Sequence, residues 1–185
     1  MANQTDFESI SLATERNIVA WKEPIREQLD VSGSTLLNDK QKKMVKHWTD
    51  LQEVLNAGDF EGMDRFFHAD FRYGNPNRPD LGTYEQWKTS PVALYKTFFP
   101  AAYKTIDAVG KGDNEIWIYA THYCKHVGGP YMGVQPTGNE FQVNWFSIVK
   151  FQDDKIVSIF SISDVLTMLK DIGVVEVPQP VDPYK

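Results

Sequence analysis

The stretch NEFQVNWFSIVKFQDDKIVSIFSIS, residues 139–163, decides the architecture. Aromatic and β-branched residues alternate with polar ones over 139–151 and again over 155–163, the period of an extended chain whose side chains point to opposite faces. Between the two runs lies the short polar turn Gln152-Asp153-Asp154-Lys155. So short a link joins antiparallel neighbours, because parallel ones need a crossover of about a dozen residues or more. Towards the N-terminus the same period holds over 103–109 and 115–126, with turns at Gly110-Lys111-Gly112-Asp113-Asn114 and Pro136-Thr137-Gly138-Asn139. The expectation is a wholly antiparallel meander of long strands.

Upstream the period becomes helical. From Asp39, Met44, Val45, Trp48, Leu51 and Leu55 recur on one helix face, and Gly58 follows as a stop. Asp59 suits the cap of a second short helix carrying Phe60, Met63, Phe66 and Phe67, and Asp70-Phe71-Arg72-Tyr73 reads as a brief extended segment. After the turn-rich loop 74–82, Thr83 and Gln86 form a capping box into a third helix that Pro91 divides or restarts. Val165, Leu166, Met168 and Leu169 make a short closing helix ended by Gly173. Helices first and long strands second predict an α+β fold, a cone of helices packed on a curved antiparallel sheet around one apolar pocket. Residues 40–175 form the domain, 1–39 a partly helical N-terminal extension and 176–185 a Pro-rich tail.

Composition narrows the function classes. The chain has 185 residues, 42% hydrophobic and 13% aromatic, enough for one core with a lined cavity. Its 19 Lys and Arg are scattered among 25 Asp and Glu, so there is no basic footprint for nucleic acid. No apolar run approaches the ~18 residues of a membrane span, and the start lacks a leader pattern, so a cytoplasmic protein is expected. Cys124, the sole cysteine, excludes an internal disulfide and a multi-thiolate metal site; a buried, inert thiol is expected.

Several residues are candidates for chemistry. Asp164 follows a strand on the parity of Ser158, Phe160 and Ile162. If that face is concave, the carboxyl enters the pocket, where desolvation would raise its pKa to suit proton transfer beside a carbonyl. The position equally suits a cap on the closing helix. His122, Cys124 and His126 share one strand face. With no third ligand at fixed spacing, no metal is expected there, and His122 reads as a hydrogen-bonding or proton-shuttling group of the pocket wall or as a satisfied structural histidine. The Asn75 amide would hold a substrate carbonyl or serve the turn before Pro76. Trp145 and Phe141 line the cavity or fill the core, Phe160 is a further candidate contact, and 125–132, with His126 and Tyr131, reads as a mobile lid or dimer contact.

Three segments together resemble the SnoaL-like polyketide cyclases of the nuclear transport factor 2-like superfamily. They are Trp48-Thr49-Asp50-Leu51 through Phe71-Arg72-Tyr73-Gly74-Asn75-Pro76; Ala120-Thr121-His122 to Gly133-Val134-Gln135-Pro136-Thr137-Gly138; and Asp154-Lys155-Ile156-Val157 through Asp164-Val165-Leu166 to Leu169 and Gly173. The likeness spans roughly residues 41–173. It implies the cone fold, an acid/base role at Asp164, a pocket rim around Tyr73, Asn75 and Trp87, and a homodimer paired sheet to sheet. Where many relatives carry an acidic residue and a Trp before the matching Asp, this chain has Ser158, Ile159 and Phe160. The function so implied is a cofactor-free cyclase or isomerase acting on a small hydrophobic carbonyl compound, Asp164 moving the proton while His122 and Asn75 orient the oxygen. The alternative is a non-catalytic small-molecule binding module or dimeric assembly subunit.

Overall fold

Asn38 and Gln41 start the first helix by a reciprocal pair of bonds, the Asn38 side chain accepting from the Gln41 amide (2.9 Å) and the Gln41 side chain from the Asn38 amide (3.0 Å). This is the entry to α1, Asp39–Asn56, in a computed structural model that describes residues 27–176. The helix buries its stripe of Met44, Val45, Trp48, Leu51 and Leu55, and Gly58, at φ 70°, lets the chain leave in the left-handed conformation that glycine tolerates. The second short helix is a single 3-10 turn, Gly62–Phe66, with the Asp59 carboxylate accepting from the Gly62 amide. Strand β1 (Phe67–Gly74) follows, then α2 (Tyr84–Thr97), begun by the Thr83–Gln86 capping box. Pro91 sits within α2 without dividing it. Strands β2 (Phe98–Lys111), β3 (Glu115–His126), β4 (Glu140–Gln152) and β5 (Lys155–Ser163) come next, and α3 (Val165–Asp171) closes the domain.

The α+β architecture holds, with one correction to the sheet. Its order is β1-β5-β4-β3-β2; β2 to β5 form the antiparallel meander, but β1 pairs parallel with β5, Arg72 opposite Ser158 and Gly74 opposite Phe160. The sheet is therefore mixed. A parallel pair needs a long crossover, and here the crossover is the whole domain between the two strands. β2 also begins ahead of the expected Tyr103, at Phe98, because the chain passes directly from α2 into the strand.

At the free edge of β2 two side-chain amides replace a neighbouring strand. Asn56 donates to the Tyr103 carbonyl (2.9 Å) and accepts from its amide (2.7 Å), while Gln28 donates to the same carbonyl (2.8 Å) and accepts from the Thr105 amide (3.1 Å). Register fixes the faces. Inward, towards α1 and α2, point His122 and Cys124 from β3, Phe141, Val143 and Trp145 from β4, and Ile159, Ser161 and Ser163 from β5. Outward point Tyr119, Phe160 and Ile162, each exposed. The parity of Ser158, Phe160 and Ile162 is thus that of the outer face. The helical character expected before residue 27, and the tail after 176, lie outside the described residues. Among the described residues no helix is long and apolar enough to cross a membrane, and no cluster of His, Cys, Asp and Glu could hold a metal ion.

Candidate functional site

The concave face of the sheet and the two long helices border a chamber of about 170 Å³, which the 74–82 loop also lines. Helix α1 supplies Trp48, Leu51, Gln52 and Leu55; α2 supplies Trp87, Pro91 and Leu94; the sheet supplies Tyr103, His122, Cys124, Phe141, Val143 and Trp145. Tyr73, Asn75, Asn77 and Arg78 also line it. Among the described residues, no Asp or Glu lines the chamber.

Rings converge on His122. Its centroid is 3.9 Å from that of Tyr103 and 4.2 Å from that of Trp145, both edge-on, and Trp48 stands 6.2 Å from Trp145. Although part of the imidazole faces the cavity, its Nε2 is shut off from water, and burial pushes its pKa down to about 3, so the ring is neutral at ordinary pH. Burial likewise raises the Tyr103 phenol and pushes the Cys124 thiol up to about 12, leaving both protonated.

Buried polar atoms are normally hydrogen-bonded. The Trp48 indole follows that rule, donating to Thr105 Oγ1 at 3.1 Å. Three others do not: Gln52 Oε1, His122 Nε2 and Trp145 Nε1 are buried and have no hydrogen-bond partner among the described residues. All three belong to residues that line this one chamber.

Of the residues singled out in the sequence, His122, Trp145, Tyr73, Asn75 and Trp87 are brought together around the chamber, with Phe141. Asn75 serves a turn as well: its Oδ1 accepts from the Asn77 amide (2.8 Å) and its Nδ2 donates to the Tyr73 hydroxyl (3.0 Å). Asp164 is elsewhere. It caps α3, accepting from the Thr167 hydroxyl (2.6 Å) and amide (3.1 Å), and these bonds hold its exposed carboxyl below the usual range rather than raising it. Because β5 turns Phe160 and Ile162 outward, Asp164 stays on the outside with them and the chamber receives Ser163 in its place. Phe160 is 45% exposed on the outer face, its ring close against Gly74.

His126 faces inward but serves the fold. Its Nε2 donates to the Gly129 carbonyl (2.9 Å), which leaves Nδ1 to accept from the Thr137 hydroxyl (3.4 Å). Tyr131 packs on Phe98 (centroids 5.0 Å apart), outside the chamber lining. Gly128 lies so close to α2 that a Cβ there would meet the Lys96 carbonyl oxygen at 2.0 Å. The segment expected as a mobile lid or dimer contact is tied to the body at His126, Gly128 and Tyr131.

Sequence reasoning passed over Gln52, Tyr103 and Arg78. Gln52 carried a signal: it lies four residues after Trp48 and three before Leu55, a polar residue on the apolar stripe of α1. Arg78 is held by Asp80 through paired bonds of 2.9 and 2.8 Å.

The model of a family described as SnoaL-like polyketide cyclase matches residues 45–172. Among solved structures the chain is similar to AclR from Streptomyces galilaeus, with 18% identity over 75% of this chain and 87% of that one and a TM-score of 0.66. It is also similar to TsrD from Streptomyces laurentii, at 20% identity over 75% and 99%, TM-score 0.62. A third likeness is to a phenazine biosynthesis-related protein (phzb2) from Pseudomonas aeruginosa, at 15% identity over 78% and 94%, TM-score 0.59. At these identities the structures speak for the fold alone. No curated protein matches the sequence.

Proposed function

The chain belongs to the SnoaL-like polyketide cyclase family, and from that premise we propose that it closes or isomerises a small hydrophobic carbonyl compound by holding its enolate in the chamber. The observation that carries this reading is the pair of unpartnered ring nitrogens, His122 Nε2 and Trp145 Nε1, on aromatic rings 4.2 Å apart inside an apolar, aromatic enclosure.

The chemistry follows from what these groups are. An indole N–H only donates, and a neutral imidazole protonated at Nε2 also donates. Two donors that a small turn of their rings brings to one carbonyl oxygen stabilise the charge that gathers there as the neighbouring carbon loses a proton. A neutral imidazole suits the task because the low pKa of His122 keeps it from protonating the enolate and ending the reaction early. Since no carboxylate of the described residues lines the chamber, the substrate's own acidity must serve, as in a 1,3-dicarbonyl compound that carries a further carbonyl group within ring-closing reach and whose proton passes to water. The carbanion then attacks a second carbonyl, a carbon–carbon bond forms, and the alkoxide takes a proton back from water. No cofactor enters this scheme, and Asp164 has no part in it.

The missing carboxylate also favours a second reading, in which the chamber binds such a compound without converting it. Turnover, by wild type, Trp145→Phe and His122→Leu, of one-ring 1,3-dicarbonyl compounds that bear a further carbonyl group separates the two. Each substitution is expected to lower the rate about 100-fold, the effect of removing one donor of this kind. Wild-type rates unchanged in the variants would overturn the catalytic reading, and a bound compound recovered unaltered from the wild type would establish the second.

A further inference from the structure

Helix α1 buries four polar side chains: Gln41, Thr49, Gln52 and Asn56. Three have work in the fold. Gln41 caps the helix and donates to the Gly112 carbonyl (2.9 Å), Thr49 donates to the Lys46 carbonyl (3.0 Å), and Asn56 engages the Tyr103 backbone with both ends of its amide. Gln52 is 1% exposed, and its Oε1 has no partner among the described residues. A buried acceptor left without a donor destabilises the folded chain, so a residue chosen for packing alone would be a Leu or Met at this place on the stripe.

We propose that Gln52 is a ligand-orienting residue, whose side-chain carbonyl accepts a hydrogen bond from a hydroxyl that the ligand carries besides its carbonyl group. The inference rests on the reading of the chamber as a carbonyl site and adds to it the second functional group. The chamber presents opposite polarities: Trp145 Nε1 can only donate and takes a carbonyl oxygen, whereas the Gln52 oxygen can only accept and takes a hydroxyl or enol. Size limits the body between them. At about 170 Å³ the enclosed space is comparable with the ~150 Å³ apolar cavity that holds a single benzene. The ligand class is therefore a one-ring hydroxy-ketone or enolic ketone.

Equilibrium binding of acetophenone and of its 2′-, 3′- and 4′-hydroxy derivatives, followed by protein NMR, tests this on the full-length protein. The better of the 3′ and 4′ isomers is expected to bind at least ~10-fold more tightly than acetophenone, the gain from satisfying a buried acceptor. The 2′ isomer, whose hydroxyl is engaged by its own carbonyl, is expected to bind like acetophenone. In Gln52→Met the preference of the better isomer over acetophenone falls to within about 2-fold; Gln52→Asn, which withdraws the amide by one methylene, does the same should the methionine variant not fold. If wild type binds all four compounds alike, the role of Gln52 is overturned and the carbonyl site stands. A preference that survives in either variant overturns the role of Gln52 equally. If wild type binds none of them, the carbonyl site itself fails.

Discussion

β3 carries two inward-facing histidines, and their surroundings differ in one respect that separates structure from function. At the strand's end His126 has both ring nitrogens engaged, one on the Gly129 carbonyl and one on Thr137, with Phe98 against its ring. In the strand's middle His122 is enclosed by Tyr103 and Trp145, and its Nε2 meets nothing among the described residues. The same contrast runs through the rest of the molecule: Asp164 is engaged by Thr167 and Asn56 by Tyr103, while Gln52 Oε1 and Trp145 Nε1 are buried in the chamber wall with no hydrogen-bond partner among the described residues. Residue type does not distinguish a ligand-facing group from a structural one here; the presence or absence of a partner does.

Breaking the open cluster should cost the most in function. The double variant Trp145→Phe/His122→Leu removes both donors from the carbonyl oxygen, and a loss of turnover of at least ~100-fold is expected, read by product formation from a one-ring 1,3-dicarbonyl compound that bears a further carbonyl group. Breaking the engaged histidine should instead cost stability. His126→Leu strands the Gly129 carbonyl and the Thr137 hydroxyl, and urea unfolding should show a loss of about 2 kcal/mol or more, with the affinity for acetophenone unchanged.

Acid sharpens the contrast further. Burial depresses His122 to about 3 from its ordinary 6.5, so the unfolded chain binds a proton that the folded chain refuses. Its folded form is at full strength above the unfolded value and weakens as the pH falls through 6.5 towards 3. Between roughly pH 7 and pH 5 the loss from this one group is about 2 kcal/mol, and His122→Gln should flatten the corresponding slope of the urea midpoint. The smallest effect belongs to the cap. Asp164→Ala should lower stability by about 1 kcal/mol and leave turnover unaltered. Because the hydroxyl of Thr167 and then its amide hold the Asp164 pKa down, the cap's charge contribution is present above the usual aspartate range and is lost as the pH falls through the depressed value.

Much of this architecture is written locally. The apolar stripe of α1, the Thr83–Gln86 box and the polar turns at 110–114 and 152–155 are short-range patterns that appear where the sequence places them, whereas the turn expected at Pro136-Thr137-Gly138-Asn139 is replaced by a longer link, 127–139, that turns between Tyr131 and Val134. The parallel pairing of β1 with β5 is not such a pattern, since nothing in a strand's own period names a partner so distant along the chain as Ser158 is from Arg72. β5 misled for a different reason. Both of its parities carry large apolar residues, Phe160 and Ile162 on one and Val157 and Ile159 on the other, so alternation cannot say which is concave, and the inward placement of Asp164 hung on that open choice. His122 and Trp145 were legible as wall residues because they share faces with strongly apolar neighbours. Gln52 passed unnoticed on its helix, since an unmet hydrogen-bonding group shows only once every other group has found its partner.

If the unpartnered nitrogens of the chamber wall receive a ligand's carbonyl oxygen, the side-chain N–H of Trp145 must report it. That resonance, assigned by its loss in Trp145→Phe, can be followed by NMR through a titration with acetophenone. It is expected to move downfield to saturation as its hydrogen bond forms, while that of Trp48, already bonded to Thr105, stays close to its place. Saturable binding that leaves the Trp145 resonance unmoved would contradict a carbonyl site at these nitrogens.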